Sequence, residues 1–466
     1  MTGTDLVRDL GMPDRFTKYT LSITLLSSLL WGVAAFPCMM PAFISPPGGN
    51  ANKSIIEGFH TLNEEISFNL DSTTADYATS IYFLGSFLLG QFTCALSDKY
   101  GRKPLIIIAT LATGIASIIC GITNIYSIFL FCRFIQGAFY TVMAGVGLVF
   151  VAESVPQSCH GKASIIFSVM WCIGYCVVAP IAAAFPTWRL LFLVTAVPTI
   201  LYAILLQLTL RESVSFLVAQ GRNKEVYSWV KQAERINREK FDHSAVLLAT
   251  EKVDELEPFV KKEHVDHEVE TFSSLLKDAM NCPKTVRCLL VMVYMWITDF
   301  IVYNGLSLTS TSIEIGDPHW NYALSGFVEF PAAILLPILL DAIGRKPTVM
   351  GCHILTSSCL IILAFIPIEH QKTYLCVWMT AKFGIAAAFF ALYIYAAELF
   401  EVKYRSICVG ICCSLGNIGA LLVPLTAKLG AAHPHLMLAL YAGIMIVSVF
   451  LILLLPETSH GDEDDK

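Results

Sequence analysis

The sequence predicts an all-α integral membrane protein with about twelve transmembrane helices arranged in two six-helix halves. The 466-residue chain is 55% hydrophobic, with a mean hydropathy of +0.64. Only 15% of its residues are charged, against roughly 25% in soluble domains. A charged turn between apolar runs occurs twice, as LSDKYGRKP from Leu96 and as LLDAIGRKP from Leu339. Such a repeat indicates a duplicated membrane unit.

The apolar segments approach or exceed the ~20 residues that a helix needs to cross a bilayer. Residues 1–210 are expected to form an N-terminal six-helix bundle, 211–287 a cytoplasmic helical linker, and 288–466 a C-terminal six-helix bundle with a short acidic tail. The expected spans are 19–42, 77–97, 104–124, 126–152, 162–185, 189–210, 288–312, 321–340, 347–367, 373–399, 406–431 and 433–455.

The positions of the basic residues predict the orientation. Lysine and arginine concentrate at 8–18, 99–103, 211–287, 341–346 and 403–405. Cytoplasmic loops carry this excess of positive charge, so both termini and the linker are expected in the cytoplasm. The first long loop, at about 43–76, then faces outward. It contains the glycosylation sequon Asn52-Lys53-Ser54 and lacks cysteine, and a multi-pass plasma-membrane glycoprotein is expected.

The polar linker retains a helical pattern. One apolar stripe comprises Val226, Trp229, Val230, Ala233 and Ile236, and a second comprises Phe272, Leu275, Leu276, Ala279 and Met280. His264 and His267 lie between the two stripes in a charged stretch, which is expected to be exposed to solvent. No cofactor or metal site is therefore expected, and an enzyme is not expected because no phosphate-binding loop or nucleophile motif is apparent.

Charged residues recur after the repeated turn in both halves. Asp98 is followed by Arg133 and Glu153, and Asp341 is followed by Lys382 and Glu398 at similar spacings. Two six-helix halves related by an axis along the membrane normal are the architecture of the major facilitator superfamily. The sequence resembles that superfamily, whose cytoplasmic motif matches the turn.

Further segments resemble the organic cation, anion and carnitine transporter family. They include WITDFIVYNGL in the seventh helix, LSGFVEFPAAILLP in the eighth, and GICCSLGNIGALLVPL in the eleventh. Three departures stand out. The outer loop is shorter than the family's ectodomain, RESVSF retains only Glu212 and Ser213 of a cytoplasmic charge motif, and Asn417 and Ala333 occupy positions where family members carry charges related to substrate choice.

The candidate substrate-binding residues are acidic and aromatic. Ionisable groups at membrane depth are costly and therefore functional candidates. Glu329 matches the family's eighth-helix acid, and Asp299 is expected on one helical face with Trp296 and Tyr303, a setting suited to an organic cation. The other candidates are Phe330, Tyr140, Trp171, Phe389, Tyr393 and Asn417. Packing remains an open alternative for each, as does pairing of Asp299 with Lys382.

The candidate gating residues are the repeated charges. A first-half cluster of Asp98, Arg102, Glu153 and Glu212 is expected, and a second-half cluster of Asp341, Arg345, Glu398, Arg405 and Glu457. Arg133 and Lys382 occupy equivalent places and are expected to serve structure or gating. Alternating access of the two halves around a midplane site is the expected mechanism.

The expected function is secondary-active or facilitative transport of small organic ions, with cations or zwitterions preferred. The alternatives are a sugar or other neutral-solute porter, an organic anion transporter, and a non-transporting sensor on the same fold. The expected partners are a small organic ion, the lipid bilayer and no nucleic acid, for a monomer. A coupling ion is left open.

Overall fold

The computed structural model describes residue 7 and residues 12–46, 56–65, 72–241, 280–313, 316–367, 370–400 and 405–458. Within this part of the chain, twelve helices are long and apolar enough to cross a membrane. We number them helix 1 to helix 12 in chain order, and their bounds are Lys18–Ile44, Tyr77–Tyr100, Arg102–Ile122, Tyr126–Ala152, Gln157–Ala184, Trp188–Thr209, Pro283–Ser312, Pro318–Ile343, Arg345–Phe365, Gln371–Leu399, Ile407–Ala432 and Pro434–Ile452. The predicted number and order of spanning helices are confirmed.

The helices pack in the same way in both halves. In the first half, helix 1 packs on helix 5, helix 2 on helix 4, and helix 3 on helix 6. In the second half, helices 7 and 11, 8 and 10, and 9 and 12 form the equivalent pairs. The halves meet where helix 2 contacts helix 11 and helix 5 contacts helix 8. These two contacts are equivalent by the same pseudo-twofold relationship that relates the helix pairs of the two halves.

The repeated turn has the same backbone conformation in both halves. Gly101 ends helix 2 with φ +102°, and Gly344 ends helix 8 with φ +95°. Residues with a side chain rarely adopt these φ angles, whereas glycine adopts them readily. Glycine therefore permits helices 3 and 9 to begin at the next residue. We call the end of the bundle with these glycines the turn end, and the opposite end, with residues 56–65, the loop end.

Three helices are irregular near the centre, and two of them are interrupted at prolines. Helix 8 breaks at Val328, because Pro331 has no N–H to donate to the carbonyl four residues earlier. Helix 11 breaks at Leu422 before Pro424. Helix 4 instead contains one π-helical turn at Val142–Val146, a feature frequent at functional sites. These irregularities leave backbone groups available for side chains.

The halves are joined at the loop end. Tyr322 donates to the Met39 carbonyl (3.2 Å), and Thr311 donates to the Ala42 carbonyl (2.6 Å). Phe43 packs against the Tyr322 ring at 4.8 Å. Among the described residues, no hydrogen bond joins the halves at the turn end. These contacts close the loop end of the interface between the halves.

Two short helices follow the sixth span, at Val214–Ala219 and Asn223–Asn237. Trp229 from the predicted apolar stripe is buried against Tyr19, with ring centroids 5.1 Å apart. Asn237 accepts a hydrogen bond from the Tyr19 backbone N–H. The linker helices therefore pack on helix 1. Most of the second stripe, both linker histidines and Asn52 lie outside the described residues.

Candidate substrate site and gates

A buried ion pair lies between helices 8 and 10. Lys382 Nζ is 2.9 Å from Glu329 Oε1, and both side chains are fully buried. Lys382 also donates to Ser307 Oγ at 2.6 Å and lies 3.5 Å from the Tyr303 ring centroid. Because the break at Val328 precedes Glu329 directly, its carboxylate enters the bundle at an irregular point of helix 8. Lys382, expected as a gating residue, therefore contacts the candidate substrate-binding residue Glu329.

Tyr303 connects this ion pair to the first half. Its hydroxyl donates to Glu329 Oε2 at 3.0 Å and accepts from Trp171 Nε1 at 2.9 Å. The Tyr175 ring lies 5.5 Å from Lys382 Nζ, and its hydroxyl donates to Ser325. Helices 5 and 8 thus approach each other through polar groups around a single carboxylate.

Aromatic rings extend from the ion pair towards the turn end. Phe389 stacks on Tyr303 at 5.2 Å, and Tyr393 packs edge-on against Trp296 at 4.5 Å. Tyr393 is 40% exposed. From the first half, Tyr140 packs against Trp171 at 6.3 Å. Five of the predicted aromatic residues therefore form one cluster with Tyr303, which bonds to Glu329.

Asp299 does not join this cluster. It is fully buried, and its Oδ1 lies 3.0 Å from His353 Nε2 on helix 9. This corrects the expectation that Asp299 shares a substrate-facing side with Trp296 and Tyr303, and it excludes the Lys382 pairing left open above. The difference of 60° around helix 7 between positions 296 and 299 is enough to direct the carboxylate between helices.

Two other candidates make local contacts. Phe330 packs against Phe327, which is 63% exposed on the outside of helix 8. Asn417 donates to the Cys413 carbonyl of its own helix at 2.8 Å. Neither contact involves the Glu329 carboxylate.

Arg133 supports the backbone of helix 1. Its guanidinium donates to the Pro37 carbonyl and to Gln136 Oε1, both at 2.9 Å. The helical partner of the Pro37 carbonyl would be the N–H of residue 41, which is a proline, so Arg133 supplies the missing donor. The guanidinium also lies 4.6 Å from the Tyr82 ring centroid. Among the described residues, Arg133 thus has carbonyl, amide and aromatic partners but no carboxylate, and its Nη2 atom has no hydrogen-bond partner.

At the turn end, the first-half charges form a cluster. Arg102 Nη2 contacts Glu153 at 2.9 Å and Asp98 at 3.0 Å. Glu212 accepts from the backbone N–H groups of Arg102 and Lys103, so it caps the N-terminus of helix 3. The residues predicted to share this cluster are in contact with one another.

The second half repeats this arrangement. Arg345 holds Glu398 with two hydrogen bonds, at 2.9 and 3.1 Å, and lies 3.4 Å from Asp341. Glu457 accepts from the Arg345 backbone N–H, as Glu212 does at helix 3. Arg405 departs from the expectation, because it donates to the Phe400 carbonyl rather than to this cluster.

Sequence reasoning missed His353, Ser307 and Tyr175. His353 carries the signal that selected Asp299, an ionisable residue within an apolar run, and the same rule applied to helix 9 finds it. Ser307 and Tyr175 carry no such signal, because hydroxyl residues are common in transmembrane helices. Within the described residues, no group of three or more His, Cys, Asp or Glu side chains could hold a metal ion.

The helix pairing, repeated turns and central site define a multi-pass membrane transporter with the major facilitator fold. Residues 30–462 match the model of the sugar (and other) transporter family, and the chain belongs to that family. It is 30% identical over 450 residues to a putative transporter from Caenorhabditis elegans, covering 96% of this chain and 87% of the relative.

Other relatives include a solute carrier and an organic cation transporter-like protein. Solute carrier family 22 member 2 from Oryctolagus cuniculus is 27% identical across 81% of this chain, and this chain spans 65% of that relative's length. An organic cation transporter-like protein from Drosophila melanogaster is 26% identical across 81% of this chain and 66% of its own length. The xylose transporter XylE from E. coli, in a partially occluded inward-open conformation, has a TM-score of 0.69 at 16% identity, covering 95% of this chain and 99% of its own. The chain is thus a transporter rather than an enzyme.

Proposed function

We propose that the chain transports small organic cations or zwitterions across the plasma membrane by alternating access. The observation that carries this proposal is the buried Glu329–Lys382 pair among aromatic rings, 2.9 Å between charged atoms. Two charged side chains removed from water cost several kcal/mol each before they attract one another. A transporter can use such a pair because a substrate ion can replace one of its members.

The chemistry of the site favours an ammonium group on the substrate. Lys382 is itself an ammonium, held by a carboxylate, a hydroxyl and the Tyr303 ring. A substrate ammonium would find the same partners at Glu329 when Lys382 moves aside, and cation–π contact adds about 0.5–2 kcal/mol. The carboxylate of a zwitterion would then pair with the released Lys382.

The contacts between the halves at the loop end support alternating access. The hydrogen bonds of Tyr322 and Thr311 would close the outside, and the turn end would open to the cytoplasm. The Arg102 and Arg345 clusters would rearrange when the halves meet at the cytoplasmic side. One chain supplies both halves of the site, so a monomer suffices for this cycle.

The orientation has its own test. Lysine and arginine at the turn end favour a cytoplasmic location, and the Asn52 sequon favours an outer location for the loop. Digestion with an N-glycosidase should increase the gel mobility of the wild type but not of Asn52→Gln, and surface biotinylation should label both. An unchanged mobility of the wild type would contradict a glycosylated outer loop.

The function is tested by uptake of a labelled panel in cells: tetraethylammonium, carnitine, an organic anion and a hexose. We expect the wild type to take up the cation or the zwitterion, and Glu329→Gln to lose that uptake. Glu57→Gln, in an exposed loop position, is the matched control and should retain it. Hexose or anion uptake that is indifferent to Glu329→Gln would instead identify one of the alternative porters.

A further inference from the structure

A second buried titratable pair lies away from the central ion pair. Asp299 on helix 7 and His353 on helix 9 are both fully buried, with Oδ1 and Nε2 3.0 Å apart. The imidazole Nδ1 lies 2.8 Å from the Val349 carbonyl. Both ring nitrogens therefore face oxygen atoms that accept hydrogen bonds.

These contacts determine how many protons the pair holds. The Val349 carbonyl can only accept, so Nδ1 carries a hydrogen atom. The contact between Nε2 and Oδ1 then needs a second hydrogen, located either on Nε2 or on the carboxyl group. A neutral imidazole beside an ionised carboxylate would place two lone pairs 3.0 Å apart. The geometry therefore requires one proton more than that state contains.

The surroundings provide no other counter-charge for Asp299 among the described residues. Titratable groups on helix 7 and on the helices around it include Tyr294 and Tyr303 on helix 7, Cys352 on helix 9, Lys382 on helix 10, Cys412 and Cys413 on helix 11, and Tyr441 on helix 12. Lys382 is engaged by Glu329, and Tyr441 hydrogen-bonds to Thr426. Asp299 Oδ2 accepts no hydrogen bond within the described part of the chain. Loss of the proton would thus leave an ionised carboxylate poorly satisfied.

Helix 7 connects this pair to the elements of the transport cycle. Trp296 lies three residues before Asp299 and packs on Tyr393, and Tyr303 lies four residues after it and bonds to Glu329. Further along, Thr311 joins the halves at the loop end. A change in the contact between helices 7 and 9 therefore acts on the helix that carries both the site and the closed end.

We propose that Asp299 and His353 form the binding site for a proton whose movement is coupled to that of the substrate. The proton enters the pair from one side of the membrane and leaves to the other as helix 7 moves against helix 9. Coupling to substrate rests on the proposed function, whereas proton binding by the pair does not.

The variant Asp299→Asn separates proton binding from folding. The asparagine amide can donate to Nε2 of a neutral imidazole, so it retains the hydrogen bond and removes the titratable proton. Asp317→Asn is the matched control, because Asp317 is a half-exposed carboxylate at the start of helix 8. Both variants should elute from size exclusion as the wild type does.

The purified full-length chain is reconstituted in vesicles with labelled tetraethylammonium and a trapped pH-sensitive dye. In the wild type and Asp317→Asn, we expect an imposed pH gradient to drive accumulation of the labelled cation inside the vesicles. We also expect an imposed gradient of the cation to drive proton movement, which the dye detects. In Asp299→Asn both couplings should be lost, while exchange of labelled for unlabelled cation remains measurable. Coupling that persists in Asp299→Asn, or net uptake of the cation by the wild type without proton movement, would overturn the proposal.

A second measurement does not depend on transport. Infrared difference spectra between acidic and alkaline buffer should contain carboxyl and imidazole bands that disappear in Asp299→Asn but persist in Asp317→Asn. Absence of exchange in the wild type would count against the proposed function, and these spectra would still decide the proton site. Identical spectra for the wild type and Asp299→Asn would refute proton binding by the pair.

Discussion

Removing one member of the Glu329–Lys382 pair should destabilise the protein more than removing both. At 2.9 Å and an effective dielectric constant of about 20, the attraction is about 6 kcal/mol. Loss of one partner from a buried pair typically costs about 3–5 kcal/mol, because the remaining charge stays buried. Glu329→Gln also disturbs the Tyr303 hydroxyl, which already accepts from Trp171 and would face an amide N–H.

The double variant Glu329→Gln/Lys382→Met leaves no buried charge at this position. We expect each single variant to lower the midpoint of thermal unfolding in detergent strongly, and the double variant to recover most of the loss. Neighbours in contact are expected to couple in such a cycle. Additive effects of the two substitutions, with the double variant the least stable, would refute the account of a mutually compensated pair.

Three further predictions concern the supporting contacts. Arg133→Met should lower the midpoint of thermal unfolding, because the Pro37 carbonyl loses its donor at a cost of about 1–3 kcal/mol, and Arg133→Lys should recover part of it. Glu398→Gln should change stability by no more than about 1 kcal/mol, because its pair with Arg345 is partly exposed, yet it should alter the uptake rate. Tyr322→Phe removes a hydrogen bond of about 1 kcal/mol at the closed end, so cysteine labelling from the outside should rise about fivefold over the wild type.

The sequence predicts the helices well because a membrane span is a local property. Inside a bilayer, a segment of about twenty apolar residues can form all its backbone hydrogen bonds within itself only as a helix. This requirement holds wherever the segment lies in the chain. The repeated turn could also be predicted from the sequence, because Gly101 and Gly344 adopt a backbone conformation that other residues rarely adopt. The duplicated charges then indicated that the two turns belong to equivalent halves.

The pairing of buried charges could not be predicted from the sequence in the same way. Each intramembrane charge can be found from the sequence, but its partner depends on helix rotation. Asp299 illustrates this, because its offset of about 60° from Trp296 around helix 7 turns it from the aromatic cluster towards His353. Lys382 illustrates it too, because its equivalence to Arg133 did not predict its contact with Glu329.

The claim that a substrate ammonium replaces Lys382 at Glu329 is tested most directly by equilibrium binding. Labelled tetraethylammonium would be titrated into the purified wild type, Lys382→Met and Glu329→Gln. We predict that Lys382→Met binds at least about tenfold more tightly than the wild type, a gain of about 1.4 kcal/mol, because the resident competitor is gone. Glu329→Gln should lose binding. Equal loss in both variants, or binding indifferent to both, would contradict the account.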